Sequence, residues 1–112
     1  MQAINDTRPR RIRIAIPTLP GSAQSALYGL QDLFGTANRI LQELQSAPEA
    51  LFAVELLPTD STPTVRPEIA IVPPILEGDA YLSAQPELCR TLREWHAAGT
   101  VVCSVCAGAF LL

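Results

Sequence analysis

The chain has 112 residues, a formal net charge of −3 and a composition that is 48% hydrophobic and 17% charged, with ten prolines. That is the balance of a small globular domain, and the mild acidity excludes a general affinity for nucleic acid. Every one of the eight basic residues is arginine, and Arg8, Arg10, Arg11 and Arg13 gather near the start, as a solvated arm leading into a first strand does.

No targeting or membrane segment is visible. The apolar stretch from Ile12 to Pro17 is short and interrupted by Arg13, unlike a secretory signal. The run from Val101 to Leu112 falls short of the ~20 apolar residues that span a bilayer. The three cysteines, Cys89, Cys103 and Cys106, are odd in number and lie in regular structure, which argues against a disulfide framework and for a reducing, cytoplasmic compartment.

In chain order, residues 1–10 read as a leader, and Arg11–Ile16 alternates arginine and isoleucine as a first strand. Pro17–Gly21 is a loop. Ser22–Ser46 carries a helical pattern in which Leu30, Leu33, Phe34, Ala37, Ile40, Leu41 and Leu44 are expected on one inward face. Pro48 ends that segment. Leu51–Leu57 is the second strand, Pro58–Pro67 a polar excursion, and Glu68–Val72 the third strand, stopped by Pro73 and Pro74. Ile75–Ala84 is loop. Gln85–Ala98 is a second helix with Pro86 in its first turn, Leu88, Leu92 and Trp95 facing inward, and Gly99 at its C-cap. The last strand runs to Val105. Strands alternating with helices predict an α/β fold with a parallel sheet covered on both faces, whose sites lie at the carboxyl ends of the strands.

The stretch Thr100–Leu112, TVVCSVCAGAFLL, carries the most chemistry. A β-branched run leads to Cys106; the small residues Ala107, Gly108 and Ala109 follow; Phe110, Leu111 and Leu112 restart an apolar pattern. That is a strand, a sharp turn and a new helix with a nucleophile on the turn. A thiol there faces the positive end of a helix dipole, which favours thiolate. Because the pattern breaks off at Leu112 within the first turns of that helix, the chain is expected to be the front part of a larger protein.

Other candidates have plainer explanations. Cys103 and Cys106 form a C-x-x-C, but the first cysteine falls inside the strand, and no second C-x-x-C completes a zinc site, so no metal is expected. Cys89 reads as core on the second helix. His96, the single histidine, sits near a helix C-terminus as an exposed structural residue. Trp95 is expected to pack on the sheet. Tyr28 suits either a pocket wall or the core. Glu77 and Asp79 are ordinary solvated loop acids.

The stretches RIRIAI, YGLQDLFGTANRI, EIAIVPP and SVCAGAFLL together resemble the ThiJ/PfpI superfamily, and most closely the N-terminal sensor domain of GlxA-type AraC-family transcriptional regulators. The resemblance implies a flavodoxin-like three-layer sandwich with a parallel central sheet, related to the class I glutamine amidotransferases, with residues 11–112 forming its N-terminal portion. It implies an acidic residue of the first helix beside the elbow thiol, here Asp32 where the family usually has Glu, and a pocket formed by Cys106, Asp32, Pro74, Ile75 and Ala107. It further implies a small-molecule effector, a homodimer, no cofactor, and DNA contact through a C-terminal domain outside this chain. The alternative from the same superfamily is a Cys-dependent hydrolase or hydratase, with Cys106 as nucleophile and Asp32 as acid/base or orienting group. Against catalysis stands the turn after the third strand. Catalytic relatives carry glycines there as oxyanion donors, whereas this chain has Pro73-Pro74-Ile75, and proline has no N–H to give.

Overall fold

The computed structural model describes residues 11–45, 51–58, 65–75 and 86–105. Six elements follow one another: β1 (Ile12–Pro17), α1 (Gln24–Gln45), β2 (Phe52–Leu57), β3 (Ile69–Val72), α2 (Pro86–Ala97) and β4 (Val101–Ser104). The four strands form one sheet in the order β2-β1-β3-β4, and every pairing is parallel. The fold is therefore α/β, as the alternation of strand and helix patterns requires.

The sheet is buried because its strands carry apolar residues on both faces. Ile14 and Ile16 of β1 and Ile71 of β3 point to one side, where Leu27 of α1 closes over them and Leu30, Phe34, Phe52 and Val54 pack around. Ala70 and Val72 of β3 point to the other side and meet Leu92 of α2, with Leu88, Trp95 and Val102 packed against them. Each helix thus covers a different face, and the two-residue alternation of β3 divides its side chains between them.

Strand ends differ from the sequence expectation by single residues. Arg11 stays outside β1, and Pro17 is its last residue, opposite Leu57; Thr18 then continues the ladder by donating its N–H to the Leu57 carbonyl at 2.9 Å. The larger correction concerns α1. Leu30, Phe34, Ala37 and Leu41 are half-buried, but Leu33, Ile40 and Leu44, expected on the same inward face, are exposed. The apolar arc of this helix is wider than the groove the sheet offers. Its roll is set by Phe34, whose ring meets Phe52 at 5.1 Å between centroids, and by Asn38, which bonds the Phe52 backbone twice. Both anchors draw the helix toward β2 and leave the opposite flank in solvent. Tyr28 is likewise exposed rather than in the core.

α2 ends as its sequence predicts. Gly99 adopts a φ of 107°, a left-handed conformation that favours glycine. Its N–H donates to His96 O at 3.1 Å, and Thr100 N–H reaches back to Trp95 O at 2.9 Å. These bonds satisfy carbonyls that a helix terminus otherwise leaves unpaired. Trp95 is half-buried against the sheet and His96 is exposed, both as expected.

Candidate functional site

All four strands run the same way, so their carboxyl ends share one edge, and three chain segments meet there. The first is the loop after β1. Leu19 N–H donates to Ser22 Oγ at 2.9 Å while Ser22 N–H donates to Leu19 O at 3.0 Å, so the loop closes into a tight turn at Pro20-Gly21, with Gly21 at a φ of 85°. The second is the Pro73-Pro74-Ile75 turn. Ala23 N–H, one of the donors that the start of α1 leaves free, bonds Pro74 O at 2.9 Å, and Ser22 forms an isolated antiparallel bridge with Ile75. The third is the end of β4. Its register pairs Val72 with Ser104, and Val105 N–H donates to Val72 O at 2.9 Å.

This arrangement fixes what the turn can offer. Pro73 and Pro74 have no N–H, and the Pro74 carbonyl is already engaged by Ala23. The Ile75 side chain is buried in the core with Leu19, Val72 and Leu92, so only its backbone is left to serve a ligand at this edge. Of the three backbone amides a turn of this length can carry, this one has a single N–H, that of Ile75.

The expected site residues are distributed as follows. Pro74 and Ile75 lie at the carboxyl edge and are buried. Asp32 is exposed on α1, eight residues beyond the helix start, or about 12 Å along the axis from the end that meets Pro74. Cys106 and Ala107, and with them Glu77 and Asp79, lie outside the described residues. Cys103 faces the α1 side of the sheet among the core residues around Ile71, and Cys89 is half-buried on α2. Among the described residues, no three His, Cys, Asp or Glu side chains gather as a metal site needs. No described helix is long and apolar enough to cross a membrane.

Two polar devices escaped the sequence reading. Asn38 donates from Nδ2 to Phe52 O and accepts from Phe52 N–H at Oδ1, both at 2.8 Å, and so pairs the outer backbone of the edge strand β2 as another strand would. Thr100, which is buried, donates from Oγ1 to Pro67 O at 2.7 Å and accepts from the Arg66 guanidinium at 2.8 Å, tying the segment before β3 to the start of β4. A helical asparagine and a threonine before a strand are common, and only their partners distinguish these two.

Among the described residues, open clefts lie away from the carboxyl edge. One, of about 320 Å³, sits over β1 and β2 between Arg13, Ala15, Ala53 and Glu55; the other, of about 390 Å³, lies at the amino ends of the strands beside Arg66, Glu68 and Val101. Compared with protein-family models, with curated proteins and with solved structures, the chain matches none.

Proposed function

We propose that this chain is the ThiJ/PfpI-like, flavodoxin-type sensing part of an AraC-family transcriptional regulator, cytoplasmic and homodimeric, that binds a small-molecule effector at the strand carboxyl edge beside Cys106. Binding would be transmitted to DNA through a C-terminal domain, by a difference in effector affinity between two arrangements of the dimer.

The observation that carries this reading is the Pro73-Pro74 turn. An oxyanion must be met by preorganised donors, and loss of one typically costs ~10²–10³ in rate. Here the turn has no donor at its first two positions, and its second carbonyl is tied down by the start of α1. Such a turn orients and encloses a ligand better than it stabilises a developing charge. The elbow-like sequence around Cys106 supports a thiol placed to contact that ligand. The reading assigns Asp32 no chemical step.

Thermal shift against a panel of small polar metabolites tests it. The expected result is a ligand that raises Tm, is recovered unchanged, and still binds Cys106→Ala. Turnover of the ligand that Cys106→Ala and Asp32→Asn each abolish would put the hydrolase or hydratase reading in its place.

A further inference from the structure

We draw no further inference here: the strongest candidate, the open cleft on the sheet face over β1 and β2 flanked by Arg13 and Glu55, has both of these charged side chains exposed, and nothing in the structure shows what covers it.

Discussion

Two side chains hold more of this molecule than their residue types announce. Asn38 closes the outer backbone of β2 with a donor and an acceptor at once. Asn38→Ala removes both partners of Phe52 and is expected to destabilise the fold by about 1–3 kcal/mol in urea unfolding. Asn38→Asp keeps the acceptor and should retain part of that loss. Thr100 is the one buried polar side chain among the described residues, and its hydroxyl is the nearer donor to Pro67 O, at 2.7 Å against 3.4 Å for the Arg66 guanidinium. Thr100→Val keeps the shape but takes from that carbonyl its closer donor and from the Arg66 guanidinium its acceptor, at a cost of about 1–3 kcal/mol. Thr100→Ser keeps the hydroxyl and loses only a buried methyl, so it is expected to cost about 1 kcal/mol, less than the valine. Equal losses for valine and serine would show that packing, and not the hydroxyl, matters here.

At the scale of elements, the helix and strand pattern was readable because its signals are local. Pro86 opens α2, Gly99 closes it, and Leu88, Leu92 and Trp95 return at helical spacing to face Ala70 and Val72. Leu92→Ala should therefore cost about 2–5 kcal/mol by the cavity it opens, read from the same unfolding curves. Gly99→Ala forces a side chain into a left-handed conformation and should cost about 1 kcal/mol. The roll of α1 was not readable. Leu33, Phe34, Ile40 and Leu41 satisfy the same periodicity, and which of them turn inward is decided by Phe52 and by the two bonds of Asn38, more than ten residues away in sequence. Periodicity gives the width of an apolar arc; tertiary anchors choose the part that is covered.

For the whole molecule, the parallel sheet places the β1 loop, the Pro73–Ile75 turn and the end of β4 on one edge, and backbone bonds from Ala23 and Val105 lock the three together. That convergence follows from the parallel order alone, so the meeting of these three segments was legible from the sequence. What the turn between them offers was legible in part. The absent donors of Pro73 and Pro74 are a property of proline, but the burial of the Ile75 side chain and the distance of Asp32 from the edge depend on how β3 and α1 pack. The account as a whole stands on Cys106 being a thiol open to a ligand at this edge.

Iodoacetamide labelling of the full-length protein at neutral pH, resolved by mass spectrometry into separate rates for the three cysteines, tests that directly. We predict that Cys106 reacts at least about tenfold faster than Cys89 and Cys103, as the reactive thiolate of the proposed function should. A Cys106 that reacts no faster than those two half-buried thiols would contradict the account.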